Sequence, residues 1–204
     1  MEVLIVAKTH MRNGSCVGGY DITSKRNVRL LNANAENQPH DTEFNVGQVW
    51  EIEYAIRPVL NPPHIEDVLV LSKNFIREEK NPYTFLLNSV KIWKGDPTCI
   101  FDGKVNFPRG KSCFVTNTRG IPSQSVGFWM ADKDLELTIF GDQKHFYYFG
   151  EYGDVYAIPF VGFQPVEDKI KKGSIIRVSL ARWWNPNPNE DKRCYCQLSG
   201  WFMQ

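Results

Sequence analysis

A mainly β chain, made of two similar small barrels joined by one short helix, is the fold class this sequence predicts, and three observations predict it. Apolar residues alternate over strand-length stretches, one long segment recurs, and a single stretch carries a one-sided helical stripe. The recurrence comes first. Gly47-Gln48-Val49-Trp50-Glu51-Ile52 opens a stretch running to Pro58, and Gly173-Ser174-Ile175-Ile176-Arg177-Val178 opens one running to Trp184. Asn61-Pro62, Glu66-Asp67 and Leu71-Ser72 are answered by Asn185-Pro186, Glu190-Asp191 and Leu198-Ser199. The two glycines lie 126 residues apart, the Asn-Pro and Glu-Asp pairs 124, and the Leu-Ser pairs 127, a nearly constant offset.

Each copy reads as a hairpin. Apolar positions after the glycine (Val49, Ile52, Tyr54, Ile56; Ile175, Val178, Leu180) predict a long strand with a bulge-like irregularity. Asn-Pro cannot continue a ladder and marks a loop. A second strand follows, over Val68–Ile76 or Arg193–Phe202. Ahead of the first hairpin lie strand candidates Val3–Lys8, Ser15–Ile22 and Val28–Leu31, then a connector over residues 41–46. Three strands, a connector and a two-strand hairpin is the order of an OB-fold, a five-stranded Greek-key barrel. The second unit offers candidates at 112–117, 126–130, 135–140, 145–149 and 155–160, so it must carry an extra hairpin or shed some of these. Its connector, 165–172, ends in Lys171-Lys172-Gly173 as a brief helix would.

Between the units, Asn81 is a good N-cap, Pro82 suits a first helical turn and Gly95 a stop. Tyr83, Leu86, Leu87, Val90 and Trp93 form the stripe of that helix. The expected organisation is therefore a first OB-like barrel over 1–80, a helical and loop connector over 81–110, and a second OB-like barrel over 111–204.

At 204 residues, 42% hydrophobic and 13% aromatic, the chain has the apolar surface for packed cores and not the composition of disorder. Val3-Leu4-Ile5-Val6-Ala7 is too short for a signal-peptide core and lacks a basic segment before it, and no apolar run reaches the length of a membrane span. A cytoplasmic protein with no membrane partner is the expectation. Five cysteines (Cys16, Cys99, Cys113, Cys194, Cys196), odd in number and without a Cys-x-x-Cys pair, predict free thiols and no zinc. Cys194 and Cys196 share one face of a strand and read as buried.

The opening Val3-Leu4-Ile5-Val6-Ala7-Lys8-Thr9, then Cys16-Val17-Gly18-Gly19 and Val28-Arg29-Leu30-Leu31-Asn32, resembles a bacterial dual-OB domain family. The stretch from Gly173 to Trp184 and the closing Leu198-Ser199-Gly200-Trp201-Phe202 are similar to it as well. The resemblance covers essentially the whole chain and implies two OB barrels with nucleic-acid binding as their role. It brings no catalytic residue set and no cofactor.

Net charge is only +1, but it is segregated. No acid lies between Asp102 and Asp132, where Lys104, Arg109, Lys111 and Arg119 fall, nor between Asp168 and Glu190, where Arg177 and Arg182 fall among lysines. Lys25, Arg26 and Arg29 form a third basic stretch. OB barrels bind ligands on the face of strands two and three and at flanking loops. In the first unit this selects Arg12, Arg26 and Arg29; Arg29 reads equally as a phosphate contact or as an internal ion pair with Asp21 or a nearby glutamate. In the second unit Arg109, Lys111, Arg119, Trp129, Arg182 and Trp184 interleave cations with rings, the pattern that suits a single strand, with phosphates on cations and bases on aromatic faces. Trp183 and Trp184 should point to opposite faces, one into the core. Gly18-Gly19 read as a barrel corner, because no helix follows to receive a pyrophosphate.

Asp132, Asp134 and Glu136 could place carboxylates on one strand face for a metal-dependent nuclease, but no recognisable histidine or lysine spacing accompanies them. The expectation is a non-catalytic nucleic-acid-binding module, preferring single-stranded DNA or RNA. The alternative is a small-ligand sensor for a nucleotide-like molecule, or a domain that binds a partner protein.

Overall fold

The computed structural model describes residues 1–108, 112–185 and 187–204, and divides into two units, Met1–Asn61 with Ile65–Val90, and Pro62–His64 with Lys91–Gln204. In the first, β1 (Glu2–Met11), β2 (Gly14–Asp21), β3 (Arg26–Leu31), β4 (Gln48–Ile56) and β5 (Asp67–Glu78) close into a barrel in the order β1-β2-β3-β5-β4. Only the β3–β5 contact is parallel. This is the OB order expected from the sequence, around Val3, Ile5, Val17, Leu30, Phe44, Ile52 and Val68.

Gly18 and Gly19 occupy a corner. Ile5 pairs with Gly19 and Ala7 with Gly18, so β1 bulges at Val6, and a Cβ on Gly19 would stand 2.4 Å from Val3 Cγ1. Barrel closure brings Asp67 opposite Arg29 in the parallel register. Asp67 is 1% exposed; its Oδ1 lies 2.8 Å from Arg29 Nε and its Oδ2 2.8 Å from Arg57 Nη1. A buried carboxylate is tolerable only when paired in this way.

The helix α1 spans Pro82–Ser89, and Asn81 Oδ1 accepts from the Thr84 N–H at 2.9 Å. It is shorter than its stripe suggests. Val90 is extended, and Trp93 lies on a strand, β6 (Ile92–Gly95), paired in parallel with a later strand of the second unit. Ladder hydrogen bonds and a β-branched Ile92 outweigh about one more helical turn. Leu86 is its buried residue, while Leu87 is exposed.

The second unit continues with β7 (Phe114–Thr116), β8 (Val126–Ala131), β9 (Leu135–Phe140), β10 (Gln143–Phe149), β11 (Val155–Pro159), β12 (Lys169–Ile170), β13 (Ile175–Leu180) and β14 (Arg193–Phe202). One sheet runs β6-β8-β13-β14-β7 and the other β11-β10-β9-β12. A parallel bridge from Phe160 to Leu198 ties the end of the second sheet to β14, the counterpart of the β3–β5 contact. Every strand candidate formed, and the surplus was absorbed by adding strands around the OB order. The connector 165–172 carries no helix: Lys169–Ile170 pair with β9 instead.

The repeat is physical. Gly47 (φ +95°) donates to Ile5 O on β1 at 2.9 Å, and Gly173 (φ +84°) donates to Ala131 O on β8 at 3.3 Å. Gln48 N donates to Asn45 O, and Ser174 N to Lys171 O, in the same turn. A left-handed residue is required at both starts, hence glycine. Register shifts follow within both hairpins. The loop residue Pro186 of the second copy lies outside the described residues. Among the described residues no helix is long and apolar enough to cross a membrane.

All five cysteines are free, and Cys194 and Cys196 both face the second core, fully buried. Burial pushes the Cys194 thiol up to about 12 and the Cys99 thiol up to about 11. The thiolate is the nucleophile, so alkylation of native protein at pH 8 should label Cys16 first, and unfolding should expose all five, as read by mass spectrometry. Replacing Asp67 with Ala should cost about 3–5 kcal/mol in denaturant unfolding, because two guanidinium groups lose their common anion.

Candidate nucleic-acid interface

The first unit has used most of the cations that the sequence offered as ligand contacts. Arg12 is exposed at the β1–β2 turn. Arg26 lies 5.6 Å over the Tyr54 ring and donates to its hydroxyl at 3.4 Å. Tyr54 donates in turn to Asp21 Oδ2 at 2.6 Å, while Asp21 Oδ1 caps the turn through the Thr23 and Ser24 N–H groups. Burial alone would push the Asp21 carboxyl up; these hydrogen bonds outweigh it and hold it below the usual range. Arg29 is taken by Asp67, so its internal-pair reading is the one observed, with a different partner from those the sequence suggested. The β2–β3 face itself is closed, since Gly18 is buried and Tyr20 packs edge-on to Phe85 while donating to Ser89 O at 2.7 Å.

In the second unit the same kind of face is open. Phe146 and Tyr148 of β10 point into the core, so His145, Tyr147 and Phe149 point outward. Across the ladder Tyr147 faces Glu136 and Ala157, and Phe140 and Phe149 are exposed. Tyr147 and Phe149 stack at 6.3 Å with 23° between planes.

A second row of rings crosses β14 and β7. Cys194 and Cys196 point inward, which turns Arg193 and Tyr195 outward. Trp184, bridged to Arg193 through the backbone, is 54% exposed, and its ring lies 6.0 Å from that of Tyr195. Tyr195 pairs directly with Phe114, ring to ring at 5.9 Å, and the Arg193 guanidinium lies 4.5 Å over the Phe114 ring. Arg193 also pairs with Glu190. Beyond Phe114 the backbone bridges to Asn106, whose Oδ1 accepts from Arg119 Nη1 at 3.0 Å. Arg119 and Arg182 are both exposed. The row thus runs from Trp184 through Tyr195 and Phe114 to Arg119.

Of the residues the sequence offered in this unit, the structure brings Arg119 and Trp184 to this row, with Arg182 next to its tryptophans in the chain. Arg109 and Lys111 lie outside the described residues. Trp129 is a correction: it is fully buried, its Nε1 donates to Gly95 O at 2.9 Å, and it has no free face for a base. Its ring sits in the core of the unit, and the parallel β6 strand, unseen in the sequence, lies beside β8 and supplies the Gly95 carbonyl. Arg177, part of a basic stretch, is buried over Phe128 and donates to Gly127 O at 3.2 Å. Trp183 packs against the core and Trp184 faces solvent, as alternation required. Tyr195 and Phe114 were missed, although two buried cysteines flanking Tyr195 were the signal that it points outward.

Trp129→Ala should cost about 3–5 kcal/mol of stability, whereas Trp184→Ala should leave the unfolding midpoint nearly unchanged, a contrast measurable by thermal denaturation of the two variants.

No curated protein matches the chain. Among solved structures, it is similar to a murine DNA-binding protein bound with double-stranded DNA, at 14% identity over 99% of this chain and 95% of that one, with a TM-score of 0.33. It is also similar to the Ifi202 HINa domain in complex with 20-bp double-stranded DNA, at 9% identity over 100% of this chain and 94% of that one, with a TM-score of 0.31. The dual OB-containing domain family matches residues 1–201, and with the closed OB barrel and the second OB-ordered unit in place, the chain belongs to that family.

Proposed function

We propose that this protein is a non-catalytic module that binds single-stranded nucleic acid along the Trp184–Tyr195–Phe114 row, with Arg119 and Arg182 meeting phosphates. The row itself carries the reading. Trp184 is half-exposed beside half-buried Tyr195 and Phe114, and with Arg193 over the Phe114 ring the row offers ring faces and a cation side by side, the combination that suits a single strand. The rings lie 6.0 and 5.9 Å apart at 46° and 66° to one another, so their faces point in different directions, which suits the unstacked bases of a single strand better than the parallel stack of a duplex.

Catalysis has less support. Asp132 accepts from the Tyr148 hydroxyl at 2.8 Å, and Asp134 accepts from the Lys172 N–H at 2.8 Å, so both carboxylates serve the fold. A second reading, a nucleotide-like small ligand, is favoured by a cavity of about 840 Å³ in the same unit, within the range of small-molecule sites.

The test is fluorescence anisotropy with labelled single- and double-stranded oligonucleotides at two salt concentrations. Wild-type affinity should fall with salt as condensed ions are released, and Arg119→Glu with Arg182→Glu should weaken binding and flatten that slope. Trp184→Ala should cost about 1–3 kcal/mol of affinity and leave the slope unchanged. Salt-independent binding, or none, by folded wild type counts against the proposal and for the small ligand.

A further inference from the structure

The cavity lies between the loop around Val105 and Phe107 and the β10–β11 pair, wholly within the second unit. Three aromatic residues are among those that line it: Phe107 and Tyr156, packed edge to face at 4.8 Å, and Tyr147 of β10. Arg119 is its cation, and Asp154 its carboxylate, among the described lining residues. Among the described residues Arg119 is anchored at one edge, because its Nη1 donates to Asn106 Oδ1 at 3.0 Å and to Val105 O at 3.3 Å. This fixes the guanidinium plane with its remaining N–H groups available for a forked contact to an oxyanion. His145 completes the wall; burial lowers its pKa from the ordinary histidine value, so near pH 7 it is a neutral hydrogen-bonding group and adds no charge.

We infer that this cavity is a binding site for one nucleotide, with its base against Tyr147, its phosphate on Arg119, and Asp154 accepting hydrogen bonds from sugar hydroxyls or an exocyclic amine. The chemistry selects the class. Aromatic walls suit a flat heterocycle, a single fixed guanidinium suits one phosphate, and a carboxylate in the same cavity needs donors from the ligand. A purely apolar ligand would displace water from the Arg119 and Asp154 charges and offer neither a counter-group, and a polyphosphate would set extra negative charge near Asp154. The volume of about 840 Å³ leaves room for a nucleotide with its hydration. Arg119 also ends the row of rings through Asn106 and Phe114, so the same site is reachable by a free nucleotide or by an unstacked nucleotide of a strand lying on that row. The inference deepens the nucleic-acid reading by naming the unit recognised at this site, and it can stand if the row binds nothing.

Isothermal titration of the whole chain with adenosine and guanosine 5′-monophosphates, the corresponding nucleosides, inorganic phosphate and a short single-stranded oligonucleotide separates these sources. Monophosphates should bind at one per chain, with Tyr147→Ala weakening them by about tenfold or more, and Tyr147→Phe restoring them. Arg119→Gln should bring monophosphate affinity down to that of the nucleoside and leave the nucleoside unchanged. Trp184→Ala should not alter monophosphate binding. If monophosphates fail to bind but Tyr147→Ala and Arg119→Gln each weaken the oligonucleotide, the cavity takes a nucleotide of a strand. Circular dichroism of each variant establishes that it folds. The inference is overturned if neither variant changes the binding of any probe, or if inorganic phosphate binds as well as the monophosphates, whatever Trp184→Ala does to the oligonucleotide.

Discussion

Asp67 meets two guanidinium groups at 2.8 Å each while 1% exposed, and the parallel pairing of β3 with β5 that closes the first barrel puts it there. A carboxylate cannot be carried into a barrel wall without cations beside it, and the cations cannot be spared once it is there. Closing the barrel thus consumes Arg29 and Arg57. Arg26 is drawn in similarly by Tyr54, which Asp21 holds by a hydrogen bond. The first unit is a finished piece of architecture in which most of the basic stretch between Asp21 and Glu36 serves the fold.

The second unit resolves the same problem differently. Its extra strands divide it into two sheets, with a bridge from Phe160 to Leu198 in place of a long parallel contact. No buried acid draws in Arg119 in this way; its hydrogen bonds go to a carbonyl and an amide oxygen, which hold it without neutralising it. Among the described cations of this unit it is Arg177 that is taken into the core, over Phe128. Arg119, held in place without a carboxylate partner among the described residues and next to outward rings, sets the surface of this unit apart from that of the first.

Small thiols help to make that surface. Cys194 and Cys196 fit a core already crowded by Trp129, Phe146 and Trp201, and their inward position commits Tyr195 and Arg193 to the other side of β14. The raised thiol of Cys194 follows from that burial, so the packing that disarms the cysteine also aims the tyrosine.

Strand positions, the two hairpins and their glycine starts, the cap at Asn81, the opposite faces of Trp183 and Trp184 and the burial of the cysteine pair were legible in the sequence. All of these rest on local rules: a two-residue period, a backbone angle only glycine adopts readily, a side chain bonding three residues ahead. What tertiary structure alone decided was the fate of each cation and ring. Arg29 became an ion pair because β5 crosses beside it, Trp129 turned into the second core with its Nε1 satisfied by the Gly95 carbonyl of β6, and α1 stopped at Ser89 because the pairing of β6 with β8 claimed Ile92–Gly95. Whether an outward-facing residue meets solvent or a partner depends on which distant strand is brought alongside, and no local pattern records that neighbour.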